Sequence, residues 1–138
     1  MRVSELLAEW GESKEVQLWG LLHDASEAYL VDLPSPLKCD PRFAFYKVAE
    51  QRLMFAVCAR FGLPYVEPTI VRAADSVLLS TEARDLMAFR PEHWSKLESE
   101  PLPDRIVPWS HAAARGSFLG RFRLLTRDTE PCPPMEGT

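Results

Sequence analysis

What this sequence has little of narrows it first. No stretch approaches the length and apolarity of a membrane-spanning helix. The opening Met1-Arg2-Val3-Ser4-Glu5 also lacks the apolar run of a secretory signal. Cysteine is scarce: Cys39, Cys58 and Cys132 are odd in number and form no CxxC pair. That pattern suits reduced cytosolic thiols better than a disulfide framework or a structural zinc knot. There is no basic excess, since Lys and Arg number 16 against 20 acids for a net charge of -4. General coating of polymeric nucleic acid needs a basic face and is therefore not expected. One small phosphorylated ligand needs only a few local cations. Strand-type alternation and internal repeats are missing as well. The expectation is a cytoplasmic protein with no membrane partner.

What is present is helical. With 46% hydrophobic residues, the 138-residue chain can fill one compact core. Val3, Leu6, Leu7 and Trp10 recur at helical spacing, and Gly11 is a stop. Ser13 can cap a second helix whose residues from Val16 to Leu30 are apolar on nearly every side, which predicts a buried helix. Pro34 and Pro36 end it. A third helix follows Pro41, with Phe43, Tyr46, Glu50, Leu53, Met54, Val57 and Phe61 near one stripe, and closes at Gly62. A fourth runs from about Pro68 to Ala88, and a short helical turn includes Trp94 and Leu97. The 101–108 segment reads as a loop. The last helix runs from about Ser110 to Leu125, with Ala114, Phe118, Phe122 and Leu125 facing inward. The prediction is an all-α helical bundle over residues 1–126 and a Pro-rich, frayed tail over 127–138.

The stretch richest in chemistry is Leu21-Leu22-His23-Asp24-Ala25-Ser26-Glu27-Ala28-Tyr29. In a continuous α-helix, His23 and Glu27 share a face, as do Asp24 and Glu27. Ionised groups in a buried helix need partners or a metal. Such a cluster can ligate a divalent cation through His23 and Asp24 while Glu27 handles protons. The plainer alternative is a histidine that is only hydrogen-bonded. On the fourth helix Arg72, Asp75, Leu79 and Glu82 fall on one stripe, opposite Val71, Ala74, Val77 and Leu78. Asp75 can serve as a further metal ligand and Arg72 as a phosphate contact. The alternative is a solvated face with an Arg72–Asp75 pair. Asp32 and Lys38 flank the Pro34/Pro36 loop, where they either face a bound nucleotide or belong to an ordinary polar loop.

Together these pieces resemble the HD-domain metal-dependent phosphohydrolases. The closest groups are the bacterial 5′-deoxynucleotidases and the phage and prophage HD proteins that include deoxynucleotide triphosphohydrolases. The matching text is LLHDASEAYLVDLPSPLK from Leu21 to Lys38 and VRAADSVLLSTEARDLM from Val71 to Met87. A weaker match surrounds Trp109 and Phe118 to Phe122. The combination HDxxEAYxxDxPxPxK with a later AD…TExRDL is far more specific than an isolated HD.

The resemblance implies an HD-domain helical bundle and a role for each matching residue. His23, Asp24 and Asp75 match metal ligands; Glu27 matches the acid beside the metal-bound water. Asp32 matches the second acid, which acts on the nucleophilic water or positions substrate. Lys38 matches a phosphate-contacting lysine, and Arg72 stands where a basic residue often does the same. Glu82 and Arg84 suggest an internal salt bridge. The implied cofactor is a divalent ion, among manganese, cobalt, zinc and iron, and the implied substrate is a small (deoxy)nucleotide. A homo-oligomer is compatible with it. The pattern departs in one place. The family's further histidine, on the helix before the HD helix, would fall just before Met1, which suggests a late start or a truncation; His93 and His111 do not stand at its position. Two readings follow from that departure: an active phosphohydrolase, or a non-catalytic nucleotide-binding or regulatory module that has lost a ligand.

Overall fold

The computed structural model describes residues 1–87 and 99–127. These fold as an all-α protein, and no strand occurs among the described residues. The helices are α1 (Arg2–Glu9), α2 (Lys14–Leu22), α3 (Ser35–Lys38), α4 (Ala44–Phe61), α5 (Thr69–Asp85) and α6 (His111–Thr126). Short 3-10 turns span Ala25–Ala28 and Pro41–Phe43. Ala88, the turn expected around Trp94 and Leu97, and the tail after Arg127 lie outside the described residues. None of these helices is long and apolar enough to cross a membrane.

The chain divides into two compact units, Met1–Leu21 with Glu67–Arg127, and Leu22–Val66. The first holds α1, nearly all of α2, α5 and α6. Val3, Leu6 and Leu7 of α1, Leu18 and Trp19 of α2, Val71, Ala74 and Leu78 of α5 and Leu125 of α6 are buried in it. Helix α1 packs on α5. A Cβ on Gly20 would overlap the Leu7 side chain and press Val3, so the bare glycine lets α2 approach α1 closely. Ser13 caps α2 by accepting from the Val16 amide at 3.3 Å, as its position predicts.

Polar side chains complete this unit. Arg121 of α6 donates to the Ser4 hydroxyl at 2.7 Å and to Gln17 Oε1 at 3.0 Å, tying α6 to α1 and α2. The Arg84 guanidinium grips Asp85 and donates to the carbonyls of Leu102 and Asp104. Asp85 in turn accepts from the Ile106 amide at 2.8 Å. Arg84 thus pairs with Asp85, the acid that also meets the returning chain. Ser110 caps α6 through the Ala113 amide. Leu125 faces inward as expected, Phe118 and Phe122 are half-buried, and Ala114 is exposed on the first turn.

The second unit holds the 3-10 turns, α3 and α4. Asp40 accepts from the Arg42 amide at 2.9 Å and starts the turn that leads into α4. Gly62 ends α4 in the left-handed region at φ 66°, where side-chain-bearing residues are strained. Tyr46 and Cys58 are buried along the inner face of α4, with Leu22 and Leu63 also buried in this unit.

Candidate functional site

Sequence spacing predicts one buried helix from Val16 to Leu30, with His23, Asp24 and Glu27 inside it. The structure corrects this. Helix α2 stops at Leu22, and the chain turns through His23-Asp24 into the 3-10 turn. The residues explain the break: His, Asp and Ser are weak helix formers that satisfy themselves locally. His23 Nε2 lies 2.9 Å from Asp24 Oδ2. Asp24 leaves helical geometry at φ -103°, ψ 20°. The Glu27 amide then donates to the Asp24 carbonyl and the Tyr29 amide to that of Ser26, three residues back in each case. Burial holds through Leu18, Trp19, Leu21 and Leu22 and gives way beyond, where Tyr29 is 75% exposed.

The turn keeps part of the expected arrangement. In a 3-10 turn, residues three apart stack above one another, so Asp24 and Glu27 remain neighbours. The four-residue relation of His23 to Glu27 is lost with the α-helix. The His23 side chain is mostly covered while that of Asp24 is 61% exposed.

Beyond the turn, Pro34 and Pro36 do more than end a helix. Leu37 and Lys38 donate to the Pro34 carbonyl, and the one-turn helix α3 forms where a loop was expected. Proline suits its first turn because no amide is needed there. This turn aims Lys38 back at the acids. Its ammonium lies 2.7 Å from Asp32 Oδ1 and 3.1 Å from Glu50 Oε1. It also lies 5.9 Å from the centre of the Tyr46 ring. The Tyr46 hydroxyl donates to the Val31 carbonyl, fixing the backbone beside Asp32.

The electrostatics follow. The hydrogen bond with His23 holds the Asp24 carboxyl below its usual range, although some burial opposes it. Glu27 is pushed up, first by loss of water around its carboxylate and then by the charges of Asp24 and Asp32. Lys38 is pushed up, first by the bond to Asp32 and then by Glu50, against the cost of its own burial. Burial, and then the Glu50 charge, raise Tyr46, which keeps its hydroxyl a donor. Four carboxylates thus surround one ammonium, and one of them holds its proton more readily than a free glutamate.

Of the predicted residues, the structure brings together His23 with Asp24, Asp24 with Glu27, and Asp32 with Lys38, all within the second unit. Arg72 and Asp75 belong to the first unit. Arg72 is exposed on α5 and reaches back to Glu67 at 2.9 Å, and Asp75 is half-buried one turn later. The charged stripe they share is partly solvated: Glu82 and Leu79 are exposed, while Val71, Ala74 and Leu78 are buried as expected. Among the described residues, no group of three His, Cys, Asp or Glu side chains is gathered about one point as metal ligands.

Sequence reasoning missed the site role of Glu50 and Tyr46. Both stand on the apolar stripe of α4, four residues apart. A carboxylate among Phe43, Leu53 and Val57 was the available signal, because an acid on an inward face requires a cation.

No family model matches the chain, and no solved structure matches it. It is similar to curated proteins from two bacteria. The uncharacterized protein YfdR of Escherichia coli is 36% identical over 115 residues, which are 82% of this chain and 64% of that protein. The uncharacterized protein RCAP_rcc00048 of Rhodobacter capsulatus is 34% identical over 138 residues, 91% of this chain and 69% of that protein. The chain belongs to the family of the Rhodobacter protein. Its matched span is less than two thirds of the Escherichia coli relative and little more than two thirds of the Rhodobacter one.

Proposed function

We propose that the chain is a metal-dependent phosphohydrolase acting on (deoxy)nucleotides, of the 5′-deoxynucleotidase or triphosphohydrolase type. The observation that carries this reading is the convergence, within residues 22–66, of a histidine–carboxylate pair, a glutamate beside other acids and an ammonium held between two acids. The resemblance supplies the chemistry that such a set would serve.

The donors suit a divalent ion. His23 Nε2 and Asp24 Oδ2, an imidazole nitrogen and a carboxylate oxygen of the kind such ions accept, stand 2.9 Å apart. His23 and Asp24 would hold the ion, as the resemblance implies. Bound there, such an ion would supply an acidified water and a polarised phosphoryl oxygen. The remaining roles belong to the chain itself. Glu27, whose carboxyl is raised, can hold a proton and give it to a leaving oxygen. Asp32 positions the attacking water or the substrate. Lys38 has three N–H donors, of which Asp32 and Glu50 take two. The third remains for a phosphoryl oxygen.

The test is a panel of deoxynucleoside mono- and triphosphates incubated with Mn²⁺ or Co²⁺, with products identified. Phosphate as product names a nucleotidase; tripolyphosphate names a triphosphohydrolase. Glu27→Gln is expected to lower kcat by about 100-fold or more while KM moves little. Nucleotide binding without turnover under every metal would replace the enzyme by a regulatory binding module. Neither binding nor turnover would end both readings.

A further inference from the structure

Lys38 is the strongest positive charge in its cluster, yet it sits on a four-residue helix between exposed segments. A lysine in such a place has many rotamers to lose before it can meet a ligand at one point. What restrains it comes from α4, a long helix that reading for catalytic motifs leaves aside. Glu50 accepts from the ammonium at 3.1 Å and is itself largely covered, with 22% of its side chain exposed. Tyr46, one turn earlier on the same face, lies under the ammonium with its ring and holds the Val31 carbonyl with its hydroxyl. The other partner, Asp32, is 59% exposed and stands in the segment that Tyr46 anchors.

We infer that Glu50, with Tyr46 behind it, is a positioning residue that fixes the Lys38 ammonium and its one remaining N–H for a phosphoryl oxygen of the substrate. The inference rests on the proposed phosphohydrolase reading. It adds to that reading a residue outside the motif. Asp32 alone is poorly placed to do this work, because an exposed carboxylate exchanges its partner with water and salt. A covered carboxylate on a rigid helix does so far less readily. Glu50 is charged and would repel a phosphate if it stood alone; paired with Lys38 it leaves one directed donor. Positioning of this kind acts on binding and alignment, and it carries no proton in the reaction.

Two measurements separate this role from a general contribution to folding. The first is acetylation of the native protein with acetic anhydride, with each lysine followed by mass spectrometry and exposed Lys14 and Lys47 as internal references. Glu50→Gln is expected to raise the labelling rate of Lys38 several-fold relative to those references, and Glu50→Asp less. The second is steady-state kinetics on the nucleotide found to be the substrate. Glu50→Gln is expected to raise KM by about 10-fold, with kcat within about 2-fold, and Glu50→Asp to recover part of the loss. If Glu50→Gln unfolds the chain, Tyr46→Phe, which removes only the Val31 bond, should show the same pattern at smaller size. Unchanged Lys38 labelling would overturn the clamp. Faster labelling with unchanged KM would overturn its function. A wild-type chain that neither binds nor hydrolyses nucleotides would overturn the phosphohydrolase reading and this role with it, while the labelling would still report whether Glu50 holds Lys38.

Discussion

At the scale of single residues, the acids of this chain divide by what they face. Asp85 has 3% of its side chain exposed, between Arg84 and the Ile106 amide. The Arg84 guanidinium, and then that amide, hold its carboxyl down at about 2 from an ordinary 3.8. A carboxyl lowered in the folded state favours folding above its unfolded pKa, and this advantage disappears as pH falls through its folded one. Acid unfolding should therefore steepen between about pH 4 and pH 2. Asp85→Asn should lower stability at neutral pH and flatten the curve in that window, as urea titrations at a series of pH values would show. Glu27 stands on the other side of the division, with its carboxyl raised by lost water and by neighbouring acids. No spacing rule distinguishes these two. His23, Asp24, Glu27, Asp32 and Lys38 were legible as candidates because the motif names them. Glu50 was not, because its partner Lys38 lies 12 positions earlier and only the turn at α3 brings them together.

At the scale of elements, legibility depended on local punctuation. Gly62 and Pro64 mark the end of α4, Ser110 the start of α6 and Ser13 the start of α2, each through backbone groups that the residue itself satisfies or frees. The end of α2 was hidden because apolar residues continue past it at Ala25 and Ala28. Periodicity alone then extends the helix, whereas hydrogen bonding at His23-Asp24 breaks it. Helix α3 was hidden because proline reads as a stop from one side and as a start from the other. Two substitutions probe these elements. Gly20→Ala places a methyl against Leu7 and Val3, and overpacking of that kind should destabilise by about 1–3 kcal/mol. Arg121→Met removes the bonds from α6 to Ser4 and Gln17. Losing such charge-assisted bonds should cost about 1.5–3 kcal/mol. Denaturant midpoints check both, and a neutral Arg121→Met would mean that α6 is held by its apolar contacts alone.

At the scale of the whole molecule, charge sets the terms on which a nucleotide can be taken. The chain carries a net charge of -4, and the second unit gathers Asp24, Glu27, Asp32 and Glu50 about Lys38. An anionic ligand meets net repulsion there unless a cation comes with it. Chelation with EDTA is therefore expected to abolish nucleotide binding as well as turnover, and Mn²⁺ or Co²⁺ to restore both. Retained binding in EDTA would assign the phosphate to Lys38 without a metal. The all-α class was legible from composition and periodicity. The division into two units was not, because apolar spacing reports which faces are buried and not which faces bury one another.

The central claim is that His23 and Asp24 are the start of a hydrolytic metal site. Its most direct measurement is phosphate or tripolyphosphate release from deoxynucleotides in the presence of Mn²⁺, comparing the chain with its His23→Ala, Asp24→Ala double variant. Release by the chain that disappears in a folded double variant is the expected result. Equal release by the two, or none by either under any divalent metal, would contradict it.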